Sequence, residues 1–232
     1  MPWIHLGHAR YQYLRNNFDD ADINLQKALQ ILKEQTLEAF LLEKCLLAGS
    51  ELEILKKNYM KARDYADELL KVSYEKERKT DIAEGALMLA RVKHLMSDIA
   101  GTKAALAQAF EYGQKCSMKE VLWQAYHLQA IIYLGENKKS LAKAELKNAQ
   151  AIVNAIVSDL SDDLKKLYLN RKEVREFNQN LQAIETRTEM SRRKPRRKTA
   201  GKTKKSCKKR KIKRKSVKKL AEKKRKLKRH GK

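Results

Sequence analysis

Small and apolar residues along the first 160 positions return at a nearly fixed interval. Ala9, Ser50, Ala90 and Ala130 form one series, Ala21, Ala62, Thr102 and Ala142 a second, and Ala28, Leu69, Ala109 and Ala149 a third, all stepping by about 40 residues. Leu25, Leu29 and Leu32 flank the small positions in the first unit, and Leu141, Leu146, Ile152 and Val153 do so in the fourth, at the spacing of one helix face. Helices that cross closely select Ala or Ser at the crossing, because a larger side chain pushes the axes apart. Polar breaks separate the first and second small positions of each unit: Asn16-Asn17, Asn58, Asp98 to Gly101, and Asn137. These residue types tolerate left-handed or capping conformations, so each unit is predicted to be two antiparallel helices joined by a turn.

Longer polar links are predicted between units, near Lys33 to Glu38, Glu75 to Asp81 and Gly113 to Lys119. Within them, Asp81-x-x-Glu84 and Ser117-x-x-Glu120 read as capping boxes that open the next helix. A lone hairpin cannot bury its apolar face, whereas stacked hairpins can. After the fourth unit, Ser161-Asp162-Asp163 reads as the start of one closing helix. Its apolar face is Leu164, Leu167, Tyr168, Val174, Phe177, Leu181 and Ile184, and its wet face runs from Lys165 and Lys166 to Arg171, Lys172 and Arg175. A dimerisation helix is the alternative there. The predicted fold is all-α: a right-handed α-solenoid of about four helix-turn-helix repeats over residues 1–160, a C-terminal capping helix over 161–186, and a disordered basic tail over 187–232.

Leu89-Ala90, Asn17-Phe18-Asp19-Asp20-Ala21, Lys27-Ala28-Leu29 and Tyr59-Met60-Lys61-Ala62 resemble the signatures of the tetratricopeptide repeat. The period exceeds that family's usual 34 residues, repeat-closing prolines are missing, and Thr102 and Leu69 stand where alanines are expected. The variant is similar to the longer repeats of large bacterial signalling proteins and transcription regulators. The resemblance implies that the first helix of each hairpin lines a concave groove for a peptide or partner helix, formed by Arg10, Tyr13, Glu51, Ile54, Arg91, His94, His127 and Ile131. It also implies that a chaperone's C-terminal carboxylate is not the ligand, since Leu6, Leu47 and Leu87 occupy the lysine-type positions that would grip it.

Charge divides the chain in two. Residues 187–232 carry 26 Lys and Arg against two acids, Glu189 and Glu222, which is +24 of the total +25. Like charges repel and this segment has little apolar area to offset chain entropy, hence the expectation of disorder. Its densest clusters, Arg192, Arg193, Lys194, Arg196, Arg197 and Lys198, then Lys208, Lys209, Arg210 and Lys211, suit backbone phosphates. With no Phe, Tyr or Trp the tail cannot stack bases, so sequence-selective reading of single strands is not expected. Val217, Leu220 and Leu227 leave an anionic membrane surface as a lesser expectation.

Enzyme chemistry finds little support. His5, His8, His94, His127 and His230 are dispersed, with no metal-ligand spacing. Asp19-Asp20 and Asp162-Asp163 read as first-turn acids favoured by the helix dipole. Gly201-Lys202-Thr203 lacks the upstream glycine and strand of a phosphate-binding loop. Cys45, Cys116 and Cys207 are scattered, which fits a reduced intracellular protein with Cys45 and Cys116 as small core residues. No catalytic residue, metal or cofactor is expected. The functional expectation is a cytoplasmic adaptor, nucleoid-associated or nuclear according to the host. Its groove holds a protein or peptide and its tail binds DNA, RNA or another polyanion; no small-molecule substrate is expected. The alternative is a regulatory segment of a bacterial kinase, ATPase or transcription-regulator system with an incidental tail.

Overall fold

The computed structural model describes the backbone of residues 1–35 and 39–193, and the side chains of residues 1–32 and 40–184. Among the described residues the chain is all-helical, with α1 (Pro2–Leu14), α2 (Phe18–Gln35), α3 (Ala39–Leu55), α4 (Tyr59–Glu75), α5 (Lys79–Leu95), α6 (Ile99–Lys115), α7 (Lys119–Gly135), α8 (Lys139–Ser158), α9 (Asp162–Leu169) and α10 (Lys172–Arg193). Helices α1–α2, α3–α4, α5–α6 and α7–α8 pack as four hairpins. The hairpins stack so that α1 meets α3, α3 meets α5 and α5 meets α7. The chain divides into a unit of residues Met1–Ile184, which is this repeat array, and a unit of residues Glu185–Lys232 that begins with the last turns of α10.

The repeat is built from one kind of joint. Every described link from α1–α2 and from α3 through α8 has three residues, the middle one left-handed: Asn16, Lys57, Glu77, Ser97, Ser117 and Asn137, with φ between 52° and 64°. The residue after each donates its N–H back across the turn, as Asn58 does to the Glu53 carbonyl at 2.8 Å and Met118 to that of Gly113 at 2.8 Å. That pattern closes a helix with a Schellman turn. The same residue's carbonyl accepts the first bond of the next helix, Ala62 N–H to Asn58 at 3.0 Å and Leu122 N–H to Met118 at 3.0 Å. One residue thus ends one helix and begins the next.

This corrects the expectation of longer links between units. Lys76-Glu77-Arg78 and Cys116-Ser117-Met118 are as short as the turns inside hairpins, because the Schellman turn satisfies the terminal carbonyls without extra chain. The link at 36–38 lies outside the described residues. Neither capping box forms. Ser117 takes the left-handed position at φ 53°, with Met118 as the capping residue, and Asp81 lies inside the first turn of α5, where it is buried. Asp98 does cap α6, accepting the Gly101 N–H at 2.8 Å.

All twelve residues of the small series are buried. Ser50 fits because its hydroxyl donates to the Ala62 carbonyl of the facing helix at 2.8 Å, which removes the cost of burying it. Leu25, Leu29, Leu32, Leu146 and Val153 join the core as expected, whereas Leu141 remains exposed. The closing element is two helices, broken at Asn170-Arg171. Tyr168, Val174, Phe177 and Leu181 are buried, but Leu164 and Leu167, expected on the same face, are exposed. The break turns α10 relative to α9, so one apolar stripe cannot serve both. The boundary placed at 186 falls within α10, whose backbone runs on to Arg193.

Candidate functional site: a cleft between the first helices and α10

Seven of the eight predicted groove residues, Tyr13, Glu51, Ile54, Arg91, His94, His127 and Ile131, line one cleft of about 300 Å³. They come from α1, α3, α5 and α7, the helices that meet side by side. All seven are half-buried; Arg10 is exposed and borders a neighbouring apolar pocket with Ala9, Tyr13, Leu25 and Glu51. The repeat period explains the convergence, since equivalent positions on stacked helices share one face of the array.

The sequence did not indicate that α10 forms the fourth wall. Lys172, Glu173 and Glu176 line the same cleft, together with Trp123 and Gln124 of α7. Phe177 is fully buried, its ring centroid 5.8 Å from that of Trp123 and 5.4 Å, edge-on, from that of His127. The Asn180 amide nitrogen lies 3.0 Å from His127 Nε2. Arg171 donates to Glu120 at 3.2 Å and pins the start of the helix. His127 is therefore engaged by the chain's own helix. The available signal was the spacing of Val174, Phe177, Leu181 and Ile184, an apolar stripe in search of a partner, but nothing in it points to Trp123.

Charge is crowded in this cleft. Burial lowers the pKa of Arg91 against the opposing pull of Glu51 and Glu173, and Arg91 also donates a hydrogen bond to Gln124. Glu51 is raised by burial, partly offset by Arg91 and Arg10. Tyr13 is raised by burial and then by Glu51 and Glu173. His127 is pushed down to about 4, first by burial and then by Arg91, and so is neutral near pH 7. His94 Nδ1 is buried without a hydrogen-bond partner. The arrangement offers apolar contact at Ile54 and Ile131, and two carboxylates, Glu51 and Glu173, that share the cleft with the Arg91 guanidinium and act on it electrostatically.

A second polar cluster ties α3 to α5. Glu43, almost fully buried, lies 2.9 Å from Arg78 Nε and accepts from Ser73 at 3.3 Å; Asp81 accepts from Arg78 at 2.7 Å and from Lys44 at 3.1 Å. Burial and the neighbouring Asp81 raise Glu43 to about 7, while Arg78 and Lys44 hold Asp81 low against its own burial. The cluster is structural: it fixes the stacking of the second and third hairpins. Cys45 is buried, which pushes its thiol up to about 11, and Cys116 is half-buried at the end of α6. Asp19-Asp20 and Asp162-Asp163 stand in the first turns of α2 and α9.

Arg192 and Arg193 fall on the backbone of α10, and the remaining polyanion-binding residues, Lys194, Arg196, Arg197, Lys198, Lys208, Lys209, Arg210 and Lys211, lie outside the described residues, as do Cys207 and Gly201-Lys202-Thr203. Among the described residues no helix is long and apolar enough to cross a membrane.

Stacked hairpins with a cleft along their first helices define an all-helical repeat array. A similar solved structure is that of BtubC (BKLC) from P. vanneervenii, with 18% sequence identity, a TM-score of 0.58, and coverage of 80% of this chain and 76% of that one. At this identity the likeness concerns the fold. No protein-family model and no curated protein matches the chain.

Proposed function

We propose that the protein is a non-enzymatic scaffold of the tetratricopeptide type, whose cleft holds a segment of a partner protein and whose basic tail holds a polyanion. The observation that carries this reading is the meeting of Tyr13, Glu51, Ile54, Arg91, His94 and Ile131 in one cleft, which mixes apolar contact with half-buried charge. Peptide-binding surfaces of this kind take their affinity from apolar anchors and their selectivity from desolvated charge. The seating of α10 on α7 supports a helix as one fitting occupant, and Glu51 with Glu173 favours a basic side chain beside the apolar anchor. The tail's +24 charge supports phosphate-backbone binding without sequence preference.

Selection of peptides from a random display library on the full chain tests the cleft. Enriched sequences are expected to combine an apolar and a basic residue, and to lose about tenfold or more in affinity to an Ile54→Asp or Glu51→Gln chain. Peptides that bind those variants as well as they bind the parent would overturn the reading. Gel shifts with unrelated duplexes test the tail, and equal binding by the chain with and without residues 194–232 would refute that part.

A further inference from the structure

Beside the cleft, between α1, α2 and α3, lies a recess of about 170 Å³ with a different character. Apolar side chains make most of its lining, Ala9, Leu14, Ala21, Leu25, Ala48 and Leu52 among them, and Arg10 and Glu51 are the charged exceptions. Tyr13 and Glu51 line the recess and the cleft alike, so the two adjoin.

The repeat explains why space is left here. One and two repeats beyond Ala48, the same position carries Met88 and Leu128. Both are buried in the core that joins the later hairpins. Ala48 supplies one methyl group where they supply a long side chain, and the recess opens beside it. Filling an apolar gap from within is a common route to stability, and an alanine leaves that gap to a group from outside. Volume and polarity say which group. An apolar cavity of about 150 Å³ accommodates a benzene ring, so this recess has room for a single Leu, Met or Phe side chain. Its lining offers too few polar partners for the N–H and C=O groups of a peptide backbone, which would lose their hydrogen bonds to water on entering. A side chain can enter; the backbone that carries it stays in the cleft.

We propose that this recess is the anchor pocket of the cleft and takes one large apolar side chain, Leu, Met or Phe, from the bound segment, whose neighbouring residues pass Glu51. The proposal rests on the peptide-binding reading of the cleft and adds which residue of the peptide dominates its affinity and where that residue goes. Ala48 is then the residue that sets the depth of the pocket, and Leu14 forms part of its exposed border.

Fluorescence anisotropy with the tightest library-selected peptide, measured on the full chain, tests this. Replacing the peptide's large apolar residue with Ala is expected to cost about tenfold or more in affinity to the parent. Ala48→Leu is expected to weaken the unaltered peptide by a similar factor while the thermal midpoint stays at or above the parental value. In that chain the peptide's own Ala substitution should cost less than about twofold, because the pocket is already occupied. Leu14→Gln, at a site 77% exposed, keeps the fold and is expected to weaken the unaltered peptide but not its Ala-substituted form. Peptides that lose affinity to Ile54→Asp, yet bind the Ala48→Leu and Leu14→Gln chains as well as the parent, overturn this proposal and leave the cleft reading standing. A full penalty for the peptide's Ala substitution in the Ala48→Leu chain overturns it too. A library that yields no peptide sensitive to Ile54→Asp or Glu51→Gln overturns both.

Discussion

Phe177 of α10 rests against Trp123 of α7 with ring centroids 5.8 Å apart, and both side chains are completely buried. Together with Phe177 on His127, Asn180 on His127 and buried Val174 and Leu181, this contact makes α10 a wall of the cleft. Replacing Phe177 with Ala removes a large buried aromatic and leaves a void between Trp123 and His127. The expected cost is about 3–5 kcal/mol. The chemical-denaturation midpoint should fall accordingly. Emission from Trp123 should shift to longer wavelength as α10 loosens, while Trp3, already half exposed, contributes a constant background. A variant with parental stability and unshifted emission would show that α10 is not anchored at this point.

Stability against pH should reveal two opposed groups. Glu43 is raised to about 7 in the folded state, so its contribution is fully present below the unfolded carboxylate range near 4.5 and is lost as pH climbs through 7. His127 is lowered to about 4 from 6.5, so its contribution is present above 6.5 and is lost as pH falls towards 4. Between these limits the two slopes largely cancel in the parent chain. Glu43→Gln is expected to unmask a stability that rises with pH, and His127→Gln one that falls with pH. Urea midpoints measured from pH 4 to 8 check both signs.

Ser97 occupies a left-handed conformation at φ 64° in the link between α5 and α6. A residue with a Cβ pays a steric penalty there that glycine avoids, and glycine in turn loses more chain entropy on folding. The balance favours Ser97→Gly by about 0.5–1 kcal/mol. The thermal midpoint should rise. A fall would mean that the Ser97 side chain contributes more to the turn than its backbone conformation costs.

The small residues at helix crossings should tolerate no enlargement. Ala130 is fully buried in the cluster that also contains Trp123, Ala142 and Phe177. Ala130→Leu is expected to force the α7–α8 hairpin apart and to destabilise the chain by about 1–3 kcal/mol, read from denaturation midpoints. Leu141→Ala, at an exposed site four positions from Glu145, should change stability by less than about 0.5 kcal/mol.

Binding to duplex should depend steeply on salt. With 26 basic residues from position 187 onward, the affinity is expected to fall about a thousandfold or more between 50 and 200 mM salt. Fluorescence anisotropy with two unrelated duplexes provides the measurement, and a shallow slope would indicate that few tail cations meet phosphates.

The helices, the hairpins and the inner face were legible in the sequence because each is a local or periodic property. Ala9, Ser50, Ala90 and Ala130 recur with the repeat, and the resemblance to the tetratricopeptide repeat implies that Tyr13, Glu51, Arg91 and His94 share one side of the array. The turns were read less well. Asn16 and Asn137 hold left-handed positions at the expected turns, but Lys57, Glu77, Ser97 and Ser117 hold the others, since a Schellman turn is stabilised by backbone hydrogen bonds that place little demand on the side chain. Asp81 was misread as a cap for a related reason: a carboxylate near a helix start serves equally well in an ion pair, and Arg78 and Lys44 lie within reach only after α3 and α5 have stacked.

By itself the sequence determined that this chain is helical, repeats every forty residues, and carries nearly all its net charge in one segment. Those features follow from composition and period, which need no knowledge of distant contacts. The tertiary structure alone decided that α10 lies against Trp123 and His127, that Glu173 joins Glu51 and Tyr13 in acting on Arg91, and that α9 and α10 cover the fourth hairpin. These depend on where the chain goes after the break at Asn170-Arg171, and the contacts that hold α10, with Trp123, His127 and Glu120 of α7, form only once the hairpins are assembled.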